Sequence, residues 1–194
     1  MRRLAHHQSA AFTQFGPKMF EDYRIKLSAL LKKFPALMWN FSGSIFPAAS
    51  WNFGPNAVTY SHADHCNRAI GWCAITALGQ YDPTRGGHLV LESFRLIIEF
   101  PPGATILIPS ASCIHSNTPI QCGESRMAFT QYAAGGLFRF VDYGFRSWKK
   151  LQVEDPALSR QFEVERGSRW AKELKLYSKT SELHQDRQAC DISK

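Results

Sequence analysis

The sequence predicts a mainly β fold with flanking helices, its strands closing into a sandwich or barrel-like roll. Three observations carry that expectation. Between residues 56 and 133 the chain breaks into short runs rich in β-branched and aromatic residues, separated by turn-forming stretches such as YDPTRGG (81–87), FPPG (100–103) and QCGES (121–125). On either side of that region the apolar residues recur at helical spacing. The chain has 194 residues, 44% of them hydrophobic, enough to bury the core of one domain.

The elements follow in order. Phe20, Tyr23, Leu27, Leu30, Leu31 and Phe34 fall at steps of three and four, so residues 20–34 form an amphipathic helix stopped by Pro35. One strand is expected at ALMWNFS (36–42). Seven more are expected at NAVTYSH (56–62), IGWCAITAL (70–78), GHLVLES (87–93), RLIIEF (95–100), ATILIPS (104–110), SCIHS (112–116) and RMAFTQYAA (126–134). Helices return over 155–177, with Asp155 before Pro156 as a cap and RWAKELKLY (169–177) as a second segment. Residues 1–177 are expected to be a single domain and 178–194 a polar tail. His6 and His7 read as an accessible, unstructured pair. The Gly-Gly pairs at 86–87 and 135–136 read as turns, since no helix start with Lys-Ser/Thr follows them.

Composition narrows the functional classes. No apolar run is long enough to cross a bilayer, and MRRLAHHQSAAF at the start has no apolar stretch before a cleavage site, so no membrane partner and an intracellular location, cytoplasmic or nuclear, are expected. Cysteines 66, 73, 113, 122 and 190 are odd in number and form no Cys-x-x-Cys pair, which suits reduced thiols. The net charge of +7 divides as +5 over residues 1–60 (seven Lys/Arg, two Asp/Glu), 0 over 61–140 (five and five) and +2 over 141–194 (eleven and nine). A basic front can attract nucleic acid; a solvated positive surface with no dedicated partner reads equally well.

The densest chemistry lies in TYSHADHCN (59–67). If 56–64 is a strand, side-chain alternation puts Val58, Tyr60, His62 and Asp64 on one face, where His62 and Asp64 could grip one ion. A His-x-Asp pair also arises by chance, and a surface His-Asp hydrogen bond is the plain alternative. His115, after ATILIPS, completes a two-histidine, one-carboxylate set that leaves three metal positions open; alone it reads as an ordinary core or rim histidine. Arg126 stands at the start of an otherwise apolar strand, where an unpaired guanidinium is costly to bury. It either pairs with Glu124, stays at the surface, or awaits a ligand's acid. His65 is expected on the opposite face from the triad. Cys66 and Cys113 are expected as small apolar packing. Trp39, Trp51, Trp72, Phe100, Phe129, Phe138 and Phe140 are expected in the core, with Trp51 and Phe53 also able to line a mouth.

The order His62-x-Asp64, distal His115, then Arg126 resembles the Fe(II)/2-oxoglutarate-dependent dioxygenases. Residues 56–140 resemble more closely a group of uncharacterised basidiomycete fungal proteins, itself similar to the Tet/J-binding-protein branch. The resemblance implies a double-stranded β-helix (jelly-roll, cupin-like) with Fe(II) on His62, Asp64 and His115. It implies that Arg126 holds the distal carboxylate of 2-oxoglutarate and that Asn67, three after Asp64, touches a substrate base. Ala128 stands where Tet-type enzymes have a Ser; Tyr60, Asn56 or Thr130 could replace that cofactor contact. The implied activity is hydroxylation of a C–H or N-methyl group, with a modified nucleobase as one substrate. The alternatives are an oxygenase of a small metabolite, and a β-helix module that binds without catalysis.

Overall fold

The computed structural model describes residues 1–190. It falls into two compact units: Met1–Ala11 with Trp39–Ala134, and Phe12–Met38 with the described residues from Gly135 on. Seven strands make up the body of the first unit: β1 (Ala48–Asn52), β2 (Cys73–Gln80), β3 (Leu89–Leu91), β4 (Leu96–Ile98), β5 (Thr105–Ile108), β6 (His115–Asn117) and β7 (Ser125–Tyr132). They form two antiparallel sheets, ordered β1-β7-β2-β5 and β4-β3-β6. An isolated antiparallel bridge, His62 to His115, adds the segment between β1 and β2 to the free side of β6. The chain thus passes repeatedly from one sheet to the other, which is the winding of a double-stranded β-helix. Inward side chains of both sheets make the core, with Ala77, Tyr81, Leu89, Leu91, Phe100, Ile108, Cys113 and Ile120 in one buried cluster.

The second unit is helical. In α2 (Pro17–Lys33), Met19, Tyr23, Leu27 and Leu30 are buried at the predicted spacing, and the Tyr23 ring packs on Phe138 at 4.5 Å. Phe138 belongs to α3 (Gly135–Asp142), which α4 (Trp148–Glu154), α5 (Pro156–Val164), α6 (Arg166–Leu174) and α7 (Leu183–Ala189) follow. Asp155 caps α5 by accepting from Leu158 N, with Pro156 in the first turn as expected.

Six local expectations are corrected. Residues 36–42 form no strand; the first strand is β1, Ala-Ala-Ser-Trp-Asn, in which only Trp51 is a strong β-former and which is held by register against β7, from Ala48 opposite Tyr132 to Asn52 opposite Ala128. Pairing there overrides propensity. Residues 56–62 form no regular strand: their β-pairing is confined to isolated bridges at Asn56 and His62, with further bonds from Ala57 and Thr59 to Arg126 and Asn117. His6 and His7 lie inside a helix, α1 (Arg2–Phe15), and the His6 ring hydrogen-bonds Ser42 O at 2.7 Å. That helix also sends Gln8 into the sheet unit, where its side chain donates to Thr76 Oγ1 and Phe129 O and accepts from Gln131, so its burial is satisfied by polar contacts that an apolar pattern does not reveal. Gly135 and Gly136 open α3 rather than make a turn. Within 178–190 the polar sequence forms α7, tied by Lys18 to Asp186 at 3.1 Å; residues 191–194 of the expected tail lie outside the described residues. Of the aromatic residues expected in the core, Phe100, Phe129 and Phe138 are buried, whereas Trp39, Trp51, Trp72 and Phe140 are half-buried.

Candidate metal centre

His62, Asp64 and His115 come together at the mouth of the β-helix, each offering one ligand atom, and these atoms all lie within 4.8 Å of one another. The strand alternation expected to align His62 with Asp64 is not what does so. His62 is fixed by its two-way backbone pairing with His115 (N to O 3.1 Å, O to N 2.9 Å), and Asp64 by a turn in which its N donates to Ser110 O at 2.9 Å. The two imidazole rings stand 4.3 Å apart, and His62 Nε2 is 3.5 Å from Asp64 Oδ1.

Both histidines are oriented by backbone. His62 Nδ1 lies 2.9 Å from Tyr60 O, and His115 Nδ1 lies 2.9 Å from Cys113 O. A carbonyl only accepts, so each Nδ1 carries the proton and each Nε2 presents its lone pair. That is the outer-shell arrangement by which metal-ligating histidines are held. Asp64 is held too: its Oδ2 accepts from Asn67 Nδ2 at 3.2 Å, and the same Nδ2 lies 3.3 Å from Ser110 Oγ. His115 is buried, whereas His62 and Asp64 keep 38% and 32% of their side-chain surface. An ion here would be backed by protein and open on one side. Two imidazoles and one carboxylate fit a first-row divalent metal.

The cluster lines a cavity of about 1100 Å³ together with Arg126 and Thr130, among others. β7 places Arg126, Ala128, Thr130 and Tyr132 on one face, two residues apart, and all four line it. Arg126 is 3% exposed. It donates through one terminal nitrogen to Ala57 O at 2.7 Å, while its Nε is buried without a partner. The chain closes tightly around it: Arg126 N donates to Pro55 O at 2.6 Å, Ala57 N to Arg126 O at 3.1 Å, and a Cβ on Gly54 would stand 2.7 Å from Arg126 O. Burial lowers the pKa of Arg126, opposed by Tyr81; burial raises that of Tyr81, opposed by Arg126. Glu124, the one acid that the strand's own neighbours offered to Arg126, bonds instead to Asp82 N and Gln121 N, both at 2.8 Å. Arg126 therefore has no carboxylate partner among the described residues. A guanidinium this buried suits the acid of a small ligand.

The remaining residues divide. Asn56 and Asn67 line the cavity, as does Tyr60, although 86% of Tyr60 is exposed. His65 also lines it rather than facing away, because 64–67 is a turn and strand alternation does not apply. Cys66 is exposed at the cavity and Cys113 is buried. Trp51 and Phe53 form part of the mouth, stacked at 6.0 Å and 17°. Sequence reading passed over Asn117 and Tyr81. Asn117 is buried and bridges to the 57–59 segment, accepting from Thr59 N and donating to Ala57 O; its place two after His115 on β6 was the available signal. Tyr81, which donates to Phe100 O, comes beside Arg126 only through the fold.

No family model matches the chain, and no curated protein matches it. Solved structures match in part. NgTET1 in complex with 5mC DNA is 16% identical, with a TM-score of 0.43 over 59% of this chain and 48% of that one, so this chain spans about half of NgTET1. The viral collagen prolyl hydroxylase vCPH from Paramecium Bursaria Chlorella virus-1, in its 2OG complex, is 16% identical with a TM-score of 0.33 over 57% and 70%. An rmlc-like cupin protein from Desulfovibrio desulfuricans is 14% identical with a TM-score of 0.29 over 44% and 80%. At such distances the chemistry rests on this chain's own residues. Among the described residues no helix is long and apolar enough to cross a membrane.

Proposed function

We propose that this protein is an Fe(II)/2-oxoglutarate-dependent dioxygenase that hydroxylates a C–H or N-methyl group. The observation that carries the proposal is the sharing of one cavity by a metal-competent His62/Asp64/His115 cluster and a buried Arg126 without a carboxylate. In this reading Nε2 of His62, Nε2 of His115 and an Asp64 oxygen hold the iron. Arg126 binds the distal carboxylate of 2-oxoglutarate, and Thr130, two residues beyond Ala128 on the same face of β7, is placed to add a hydroxyl contact; Asn56 and Tyr60 are the other candidates at the rim. When bound, iron and 2-oxoglutarate supply the oxidation: the keto acid loses carbon dioxide to become succinate, one atom of dioxygen going to succinate and the other into the substrate bond. The chain's own part is to hold the ligands' tautomers, neutralise the cofactor's far end and admit substrate from the open side.

For the substrate, the proposal is a flat, modified nucleobase entering beside Asn67. The stacked Trp51 and Phe53, the latter 74% exposed, offer a ring surface at the mouth, and the excess of basic residues over 1–60 suits phosphates. Anaerobic calorimetry with Mn(II) should show one site, with 2-oxoglutarate binding only once the metal is in. Mass spectrometry of methylated and unmethylated oligonucleotides after incubation with iron, 2-oxoglutarate and oxygen tests the substrate. Oxidised bases support the nucleobase; succinate formed without any change in the oligonucleotide leaves a small metabolite or a protein side chain. Metal binding with no succinate under any condition would instead leave a binding module.

A further inference from the structure

We propose that Glu92 is a positioning residue that braces the two histidine-bearing segments against each other and so sets the geometry of the metal centre; this rests on the reading of His62, Asp64 and His115 as metal ligands. Glu92 opens a single 3-10 turn, Glu92–Phe94, directly after β3. Its two carboxylate oxygens are divided between the two segments: Oε2 accepts from Ser61 Oγ at 2.8 Å and Oε1 from Ser116 Oγ at 3.2 Å. Ser61 immediately precedes His62, and Ser116 immediately follows His115. The same turn also holds the residue before His115 from both sides, since Glu92 N donates to Ile114 O and Ser93 Oγ accepts from Ile114 N, each at 2.9 Å.

A brace matters at this place because the segment carrying His62 has no ladder of its own. Between β1 and β2 it meets β6 at the isolated His62–His115 bridge and at Thr59, which accepts from Asn117 N and donates to the Asn117 side chain, contacts that fall short of a regular ladder. The Ser61 bond to Glu92 adds a side-chain fixed point directly beside the ligand. Glu92 is exposed and forms no ion pair among the described residues, so its bonds to two hydroxyls are its observed partners. Residues that orient ligands are commonly worth as much to metal affinity as the small shifts they prevent.

The test is an anaerobic titration of the full-length protein with Co(II), read by its visible absorption, beside thermal unfolding of the metal-free variants. Glu92→Ala is expected to weaken Co(II) binding by about 3- to 10-fold, below the roughly 10- to 100-fold of groups bonded to a ligand itself, because Glu92 acts through the neighbouring serines. The Co(II) absorption bands should also change in shape. Glu92→Gln, which keeps an acceptor and a donor for the two hydroxyls, is expected to restore most of the affinity. Ser61→Ala is expected to weaken binding in the wild-type background and to do nothing further in Glu92→Ala. An unaltered affinity and spectrum in Glu92→Ala overturns the proposal, whatever happens to its melting temperature. If Glu92→Ala does not fold, Ser61→Ala and Ser116→Ala decide, and unchanged Co(II) binding in both is the contrary result. If the wild type binds no Co(II), the metal-centre reading itself fails and the brace falls with it, which separates the two.

Discussion

Replacing Arg126 with Met should make the metal-free protein no less stable while removing its affinity for 2-oxoglutarate. Arg126 is 3% exposed, has no acid beside it and leaves Nε without a partner. Without ligand it is a buried cation bonded to the Tyr81 hydroxyl and to Ala57 O, and that carbonyl also accepts from Asn117 Nδ2 at 3.3 Å, so losing the arginine does not orphan it. Substituting buried charge with a well-packed apolar side chain of similar volume is often neutral or stabilising by about 1–4 kcal/mol. Taking the low end, about 1–2 kcal/mol, the melting temperature should rise by roughly 2–8 °C for a chain of this size. Binding should move the opposite way, because truncating one partner of a buried charge pair costs about 2–5 kcal/mol, or roughly 30- to several-thousand-fold in Kd. Arg126→Lys should recover only part of the affinity, since an ammonium cannot make the two parallel bonds of a guanidinium. Thermal unfolding and anaerobic calorimetry with Mn(II) and 2-oxoglutarate measure the two effects. A large fall in melting temperature combined with unchanged 2-oxoglutarate affinity would show that Arg126 is structural and does not anchor the cofactor.

Four further outcomes are expected. His62→Ala and Asp64→Ala should each abolish detectable Mn(II) binding without unfolding the protein, since both side chains are partly exposed; metal retained in either variant places the ion elsewhere. Asn67→Ala should lower metal affinity by up to about 10-fold through loss of its bond to Asp64. If the substrate is a base beside Asn67, the same variant should lose turnover more than substrate affinity. Toward a thiol reagent, Cys66 and Cys122 should react in the native protein, whereas Cys73 and Cys113 should need denaturant, their thiols being buried and raised in pKa by that burial; Mn(II) with 2-oxoglutarate should slow Cys66 alone. Burial raises the Tyr81 pKa in the folded state, so its contribution is fully present below the unfolded value of about 10 and lost as the pH rises through the folded one; chemical unfolding should show a steeper alkaline loss for wild type than for Tyr81→Phe.

The chemistry-bearing residues were more legible in the sequence than the path that brings them together. His62, Asp64, His115 and Arg126 could be singled out because charged or imidazole side chains at the ends of apolar runs stand out from their neighbours. Strand alternation, however, was the wrong reason for pairing His62 with Asp64: a turn anchored on Ser110 does it, and that depends on the distant segment just beyond β5. The same turn sent His65 into the cavity. β1 was invisible because Ala48–Asn52 has little β propensity and forms only against β7. α1 was missed because its buried side includes Gln8, whose place inside is secured by Thr76 and Gln131, partners no local pattern can supply. Where an element's reason for existing is local, as for α2 with its apolar stripe and Pro35 stop, the reading and the structure agree to within three residues at the start and one at the end.

The most direct test is succinate formation by the purified protein supplied with Fe(II), 2-oxoglutarate and oxygen, followed together with carbon dioxide release. The account predicts succinate and carbon dioxide in equal amounts, even slowly and without added substrate, and neither product from Asp64→Ala or from Arg126→Met. Equal succinate from wild type and Asp64→Ala, or none from a wild type shown to bind both Fe(II) and 2-oxoglutarate, would contradict it.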